Sequence, residues 1–520
     1  EIMSSDWSSD VCSSDLVWQP AGATGPGIEP GSHFRRQSTA DYLVADAITD
    51  GHVFGLVPGA TSRSVTFSGT AAGRTGNVEV QIVYADSGAV LLDWTSLGAV
   101  GATWSGAVTV PRSADGWVVA RFRTSGEPDR IADMRGRFGV GYVFAWLGQS
   151  QLGIALNAQG GTFPTPAAQS LGLSYATTDI DGPGQNDGPF QLARIGGREP
   201  ADALSAFLAQ FRVFDPATPV MVLDAAVHGS SAENLITDGQ GRAWSDLQDK
   251  VDHWGNTITA VLHQWGTSDM GKAYYADLLG ALYDGTGPRA ADHDLAAALA
   301  PGFAFGVSPL TRHTGSGAYV SNADRTRAAG VDWANGEGLP VGLPLSDFTI
   351  EPAGGPHQTG SSPANVRLGA RMAILAAQAS GFTVPANPHF AGTVARSSAA
   401  LTIPVTLPNG GTLTSPAPGA LRSWQVNEGG GWTGLGFSAA ISGSSVVLTR
   451  DSGTWALNTG VRYLPNLENR ADGDGAAEAA IMAGALYETW DDDVTGDGLP
   501  VLGMRDAAGN WVPGFEAASD

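Results

Sequence analysis

Between residues 137 and 388 the sequence alternates apolar runs with amphipathic stretches, and this alternation constrains the fold more strongly than any other feature. Four runs have the length and apolar content of buried strands, namely VGYVFAWL, PVMVLDAAV, TITAVLHQW and GFAFGVSPL. The spacing of helices is found in PADALSAFLAQFRVF, WSDLQDKVDHWGN and YYADLLGALYDG, and finally in residues 365–380. This order predicts right-handed βαβ units, and therefore an α/β fold with a parallel sheet and helices on both faces.

Two strand-rich segments flank the α/β segment. Residues 61–125 contain short alternating runs such as VEVQIVYA and WSGAVTVP, and residues 389–465 contain SAALTIPVTL and SVVLTR. Short strands separated by turn residues are typical of small β-sandwiches, so we predict one such module in each segment. Residues 17–60 are rich in proline and glycine and lack a period, which predicts a lead-in linker.

The last segment, residues 466–520, is an acidic tail. It contains DGDGAAE and DDDVTGDG, which partly match calcium-binding loops. In a loop that begins at Asp493 the twelfth position is Met504, where such calcium loops carry a bidentate Glu. A solvated acidic tail and a calcium site are therefore both open predictions.

Residues 1–16, EIMSSDWSSDVCSSDL, repeat the triplet SSD three times and differ in character from the rest of the chain. They have neither the apolar centre nor the positive start of a signal peptide, so we expect an artefactual or foreign segment. An export signal is not seen, and the compartment is left open, with a secreted or periplasmic location favoured. The single cysteine, Cys12, excludes an internal disulfide.

Charge bears on the partners of the chain rather than on its fold. The formal net charge is −23, and Lys250 and Lys272 are the only lysines. Without a basic cluster to displace counterions, no nucleic-acid partner is expected. No apolar run approaches the roughly 18 residues of a membrane helix, so no membrane span is expected. A neutral substrate, such as an acylated carbohydrate or a small ester, would not be repelled.

In a parallel α/β sheet, ligands bind at the carboxyl ends of the strands. The first predicted strand ends at Ser150, the second at His228 and Gly229, and the third at Gln264. A long loop after the fourth strand leads to His357, just before the last helix. The topology therefore predicts that a serine, a glycine, an amide and a histidine meet at one edge of the sheet.

These residue types suit acyl transfer. The Ser150 hydroxyl needs a base to become a nucleophile, and His357, with an ordinary pKa near 6.5, is the predicted base. The tetrahedral oxyanion needs N–H donors, which we assign to the Ser150 amide, the Gly229 amide and the Gln264 carboxamide. No metal and no cofactor are expected in this mechanism.

Three ordered sequence blocks resemble the SGNH hydrolase superfamily, in particular its sialate O-acetylesterase and carbohydrate esterase type. They are GQS at 148–150, HQWGTSD at 263–269 and HQTGSSPANVRLGARMA from His357. The resemblance covers residues 139–385 and implies a flavodoxin-like, three-layer SGNH hydrolase domain over residues 137–388, flanked by small β modules. It implies Ser150 as nucleophile, His357 as base and Gly229 as the oxyanion glycine. Gln149, inside the first block, is a further substrate-binding candidate.

Two departures from the family pattern affect the remaining roles. Trp265 stands between Gln264 and the following glycine, and this one-residue shift puts the donor role of Gln264 in question, because side chains alternate faces along a strand. The acid that usually precedes the histidine by two or three residues is replaced by glycines. We predict Glu351 as the triad acid ahead of Asp347, with a Ser–His dyad oriented by a backbone carbonyl as the alternative.

The sequence thus supports a serine esterase that removes O-acetyl or similar acyl groups from a carbohydrate through a covalent acyl-enzyme. The alternative is a non-catalytic carbohydrate-binding or surface protein that keeps a degenerate SGNH core, since the acid is missing and β modules flank the core. A third hypothesis, activity on apolar esters, depends on Trp146 and Trp265 lying near the site.

Overall fold

The structure is a computed structural model of the 520-residue chain. The residues that it describes are 41–48, 50–157, 173–177, 191–194, 202–226, 230–237, 244, 247–248, 250–252, 257–264, 269, 272–289, 293–308, 326, 329–343, 362–391, 394–418, 421, 423–430, 432–456, 459–463, 485–495, 497–501 and 517–518.

The strands are β1 Tyr42–Ala45, β2 His52–Gly55, β3 Ser62–Ala72, β4 Asn77–Tyr84, β5 Val90–Ala99, β6 Thr103–Pro111, β7 Val118–Thr124, β8 Glu127–Asp133, β9 Phe138–Gly148, β10 Leu173–Thr177, β11 Gln191–Arg194, β12 Val220–Ala226, β13 Ala260–Gln264, β14 Ala304–Val307, β15 His389–Phe390, β16 Ala395–Arg396, β17 Ala400–Thr406, β18 Leu413–Thr414, β19 Trp424–Asn427, β20 Trp432–Thr433, β21 Phe437–Ser442, β22 Ser445–Arg450, β23 Gly460–Tyr463, β24 Tyr487–Glu488, β25 Leu499–Pro500 and β26 Ala517–Ala518. The helices are α1 Ser150–Asn157, α2 Asp202–Phe214, α3 Ala232–Ile236, α4 Tyr275–Asp284, α5 Leu295–Ala298 and α6 Ser362–Ala379.

The chain divides into two compact units. The first comprises residues 1–50, 62–111 and 117–138, and the second comprises residues 51–61, 112–116 and 139–520. In the first unit, β1, β3 and β6 form one antiparallel sheet, and β5, β4, β7 and β8 form another antiparallel array. Their apolar faces meet in the core of this unit, where the Phe122 ring contacts those of Phe67 and Trp104.

The second unit contains a mixed sheet whose main strands are parallel. Their order is β10, β12, β9, β13 and β14, and β11 pairs antiparallel with β10 at the edge. A parallel bridge from Val307 to Val341 extends the sheet beyond β14. If the β10–β11 hairpin is set aside, the order of the remaining strands is 2-1-3-4-5, which is the flavodoxin-like order. β12 therefore lies on one side of β9, and β13 and β14 lie on the other side. The switch point of the sheet is between β9 and β13.

Helices pack against both faces of this sheet, because alternate residues of each buried strand are apolar on both sides. On one face, Phe144 and Trp146 of β9 share a core with α1, α2 and α6. On the other face, the Phe305 ring lies 5.5 Å from Tyr283 of α4 and 6.0 Å from Trp333, in a helical segment at 329–336. Both layers are parts of the second unit.

Three small antiparallel sheets follow α6 in the same unit, and a separate apolar core lies among them. The loop at 490–498 packs on the helices of the α/β part. Arg367 of α6 forms hydrogen bonds of 2.6 and 3.1 Å with the Asp497 carboxylate, and Gln210 of α2 bonds the backbone of Asp492 and Val494. Residues 485–501 thus include buried side chains, such as that of Tyr487, although they lie in the predicted acidic tail.

The α/β class predicted from the alternation is confirmed, with a mixed sheet and additional small antiparallel sheets. Each of the four predicted strands corresponds to a strand of the structure, β9, β12, β13 and β14. The hairpin of β10 and β11 was not predicted, and it adds an antiparallel pair at one edge of the sheet. The predicted domain boundaries stay predictions. Within the described part of the chain, no helix combines the length and the apolar character needed to cross a membrane.

Candidate active site

Ser150 lies where the central strand ends and a helix begins. β9 ends at Gly148 and α1 begins at Ser150, so one residue, Gln149, makes the turn. The Gln149 carbonyl oxygen accepts hydrogen bonds from the N–H groups of Leu152 and Gly153, both at 3.0 Å, and these bonds start the helix. The first N–H groups of a helix have no acceptor within it, so the backbone beside Ser150 is suited to an oxyanion.

Close packing explains why residue 148 is a glycine. A Cβ atom there would lie 2.7 Å from the carbonyl oxygen of Gln264 and 2.9 Å from Cδ2 of Leu152. Gly148 is the register partner of Gln264 across β9 and β13. The glycine therefore lets the end of β13 and the first turn of α1 approach each other more closely than any residue with a side chain would allow.

The structure brings Gln264 to the same turn as Ser150. Gln149, Ser150, Gln151 and Gln264 are all buried, and Ser150 is 6% exposed. The Gln264 Nε2 donates to Oε1 of Gln151 at 3.0 Å, so two carboxamides meet beside the serine. Gln264 shares its strand face with Leu262, which packs against α1, α2 and α6. Its role as an oxyanion donor stays a prediction, and Gln151 is a contact that the sequence analysis did not single out.

His263 occupies the opposite face of β13 from Gln264. It is fully buried, and its ring centroid lies 5.5 Å from that of Phe305. Burial lowers the pKa of His263 from 6.5 to about 3, because the apolar surroundings disfavour the imidazolium. A histidine that stays neutral on the far face of the sheet is a core residue, which leaves His357 as the predicted base.

Asp269, the last residue of the HQWGTSD block, joins the chain after β13 to the start of α3. Its buried carboxylate accepts a hydrogen bond from the N–H of Ala232 at 2.8 Å and one from Nζ of Lys272 at 2.8 Å. Lys272 also donates to Glu233 at 2.8 Å. Burial raises the pKa of Asp269, and the hydrogen bonds from Lys272 and from the backbone oppose that rise. Sequence analysis did not assign this contact, although Lys272 is one of only two lysines.

Part of the predicted site lies outside the described residues. The proposed base, His357, and the proposed triad acid, Glu351, with its alternative, Asp347, all lie outside them. The same is true of the proposed oxyanion glycine, Gly229, and of His228 and Trp265. The described half of the site therefore consists of Ser150, Gln149, Gln151 and Gln264, with Asp269 behind it.

Trp146 does not lie near the entrance to the site, contrary to the expectation behind the apolar-ester hypothesis. Its side chain is fully buried, and its ring lies edge-on to Phe207 of α2 at 5.2 Å. The reason is that it lies on the strand face that packs on α1, α2 and α6. Trp146 is a core residue and offers no surface to a substrate.

No group of three or more His, Cys, Asp or Glu side chains that could hold a metal ion occurs among the described residues. In the calcium-like stretch, the Asp493 carboxylate accepts hydrogen bonds from the Thr495 N–H and hydroxyl and from the Gly498 N–H at 2.6 Å. Asp497 is bound to Arg367. Both carboxylates are thus engaged within the fold, which argues against calcium binding at this loop.

No protein-family model matches the chain, and no curated protein matches it. Among solved structures, the chain is similar to XAC1771, a carbohydrate acetylesterase from Xanthomonas citri, with 14% identity, a TM-score of 0.48, and coverage of 90% of this chain and 98% of that chain.

Two further solved structures belong to the same chemical class. Est24, a carbohydrate acetylesterase from Sinorhizobium meliloti, matches with 12% identity, a TM-score of 0.26, and coverage of 45% of this chain and 96% of that one. A family two carbohydrate esterase from Clostridium thermocellum matches with 13% identity, a TM-score of 0.26, and coverage of 63% and 90%.

Proposed function

We propose that this protein is a serine esterase of the SGNH type that removes O-acetyl or similar small acyl groups from carbohydrate. The observation that carries the proposal is the position of Ser150. It begins α1 directly after the strand beside the switch point of the sheet, with Gln264 ending the strand on the other side of that point. In open α/β sheets this crevice is where ligands bind.

The strand order also supports a flavodoxin-like, three-layer SGNH core. The order 2-1-3-4-5, with helices on both faces, is the arrangement that the three sequence blocks imply. In such a core the GQS block ends the first strand, and the HQWGTSD block follows the third. In this chain Gly148 ends β9, and the HQWGTSD block begins with the last two residues of β13, His263 and Gln264, which is in keeping with that proposal.

The reaction that we propose has two steps. Oγ of Ser150 attacks the ester carbonyl while His357 takes the hydroxyl proton, and the resulting oxyanion is held by the N–H groups of Ser150 and Gly229 and by the Gln264 carboxamide. Collapse breaks the bond to the sugar oxygen, and His357 returns the proton to that oxygen. Water then hydrolyses the acyl-serine, with His357 again as base, and releases the carboxylic acid.

Glu351 is proposed to orient His357 and to stabilise the imidazolium, with Asp347 or a backbone carbonyl as the alternatives. Gln149 is proposed to contact the substrate, because it forms the turn immediately before the serine. These roles are proposals that extend the described half of the site.

The surroundings of Ser150 favour a short acyl group over a long apolar one. The side chains beside it are the carboxamides of Gln151 and Gln264, and the tryptophan of the preceding strand is in the core. Carboxamides offer hydrogen bonds but little apolar area to a long acyl chain. The similar solved structures are carbohydrate esterases, and this accords with a sugar as the alcohol part of the ester.

The test compares the wild-type protein with Ser150→Ala on acetyl and butyryl esters of 4-nitrophenol and on acetylated xylan. We expect the wild type to prefer acetyl and the variant to lose at least about 10³-fold in kcat/KM, since the covalent route is removed. Ser380→Ala is the matched control, because Ser380 is a buried serine whose hydroxyl bonds Ala376 at the far end of α6. It should keep full activity.

An active Ser150→Ala variant would contradict the proposed nucleophile. A wild-type protein that binds acetylated glycans but hydrolyses none of the esters would instead favour the non-catalytic carbohydrate-binding alternative.

A further inference from the structure

A buried lysine holds the carboxyl end of β12. Nζ of Lys250, which is fully buried, donates to the carbonyl oxygen of Asp224. The Asp224 carboxylate in turn accepts a hydrogen bond from the N–H of Ala226 at 2.9 Å. The end of β12 is therefore fixed by hydrogen bonds to charged groups, which are about twice as strong as bonds between neutral groups.

Asp269 holds the start of α3, the helix that follows β12 in the chain. The Asp269 carboxylate bonds the N–H of Ala232 and is itself paired with Lys272. Ser231 caps the helix in addition, by accepting a hydrogen bond from the N–H of Asn234. Both lysines of the chain thus act on the two ends of one short connection, between β12 and α3.

The hydrogen bond from Ala232 to Asp269 links parts of the chain that follow two strands not adjacent in the sheet. β12 and β13 are not neighbours, because β9 lies between them. Neighbouring strands are about 4.8 Å apart, so β12 and β13 are about 10 Å apart. Hydrogen bonds between strands therefore do not set the distance between Ala232, after β12, and Asp269, after β13. The bond from Asp269 to Ala232 joins those segments across the strand whose end carries Ser150.

We propose that Asp269 is a positioning residue for the esterase reaction. It fixes the start of α3 at Ala232, three residues after Gly229 in the sequence, the glycine proposed above as an oxyanion donor. The inference rests on the proposed function. Its physical basis is that oxyanion donors stabilise a transition state only when they are held in place beforehand, so that no reorganisation is needed as charge develops.

The test is Asp269→Asn, which keeps the size of the side chain but replaces the charged acceptor by a neutral amide. We expect kcat on an acetyl ester to fall about 10- to 100-fold, less than the 10²- to 10³-fold typical of losing a whole oxyanion donor. Affinity for a boronic acid, which mimics the tetrahedral intermediate on serine, should fall by the same factor. KM should be unchanged, because ester binding precedes the charge that the donors hold.

Glu488→Gln is the matched control. Glu488 is also fully buried, and its carboxylate accepts hydrogen bonds from the N–H groups of Asn409 at 2.9 Å and of Gly411 at 3.1 Å, within the small sheets after α6. The control should lower the melting temperature as a buried carboxylate-to-amide change does, while kcat and boronate affinity stay at the wild-type values. Equal changes of kcat in both variants would overturn the inference, and so would wild-type kcat and boronate affinity in Asp269→Asn.

Lys272→Met is a second variant, for use if Asp269→Asn does not fold. It keeps the bond to Ala232 but removes the cation that pairs with Asp269, and its side chain is partly exposed. We expect a smaller loss of kcat and boronate affinity in the same direction, and unchanged values would overturn the inference. Ser150→Ala in the same assay separates the two proposals. If Ser150→Ala is inactive and Asp269→Asn behaves like the wild type, only the inference fails, whereas an inactive wild type overturns both.

Discussion

Replacing Gly148 by alanine tests the packing that brings Gln264 to Ser150. The new Cβ would lie 2.7 Å from the Gln264 carbonyl oxygen, whereas ordinary contact begins at 3.4 Å, so the two backbones must separate by 0.7 Å (3.4 minus 2.7). The obstructing atom belongs to the backbone of a buried strand, so it cannot move aside as a flexible side chain would. Overpacking of this kind costs about 1–3 kcal/mol of unfolding free energy.

The same separation should lower activity more than stability alone would. It moves Gln264 away from Gln151 and from the helix start, and misplacing groups at a site by about 1 Å can cost about 100-fold in rate. Urea unfolding would give the free energy, and kcat on an acetyl ester would be measured where both proteins are fully folded. Gly336→Ala is the control, because nothing lies within 4 Å of its Cβ position. Wild-type stability and wild-type kcat in Gly148→Ala would refute the reasoning.

Two further predictions concern pH and metal. The unfolded chain protonates His263 near pH 6.5 but the folded chain only near pH 3, so stability should fall as pH drops through this window. The slope approaches 1.36 kcal/mol per pH unit below pH 6.5, and the loss between pH 6.5 and pH 5 is about 1.6 kcal/mol. Urea titrations of His263→Leu should show a smaller fall than the wild type, and an equal fall would contradict the assigned pKa. Calcium should leave the melting temperature unchanged, because the Asp493 and Asp497 carboxylates already bond Gly498 and Arg367. A rise in melting temperature with calcium would count against that account. EDTA should leave esterase activity unchanged, because the proposed mechanism uses no metal.

The elements of the α/β part could be predicted because each has a strong local signal. β9 is apolar at nearly every position, and α2 repeats Leu204, Phe207, Leu208 and Phe211 at helical spacing. The hairpin of β10 and β11 has no such signal, since LSYAT and QLAR are short and only partly apolar. α3 is a single turn, whose start depends on Ser231 and on a carboxylate 37 residues later in the chain.

The turn from strand to helix at Ser150 could be predicted because a buried strand that ends in Gly-Gln-Ser requires a tight turn. The contacts between separate strands could not. The one-residue shift at Trp265 suggested that Gln264 faces away from the site, yet strand alternation places Gln264 on the side of α1 and His263 on the other side. Which residue of HQWGTSD faces which side depends on where β13 ends, and a single sequence does not state that end.

Covalent labelling of Ser150 tests the central claim most directly. The protein would be treated with a fluorophosphonate ester, which reacts with serines activated as nucleophiles, and intact mass and peptide mapping would locate the adduct. We predict one adduct per chain, on the peptide that contains Ser150, and none in Ser150→Ala. No adduct on the wild-type protein, or an adduct on another residue that persists in Ser150→Ala, would contradict the assignment of Ser150 as the nucleophile.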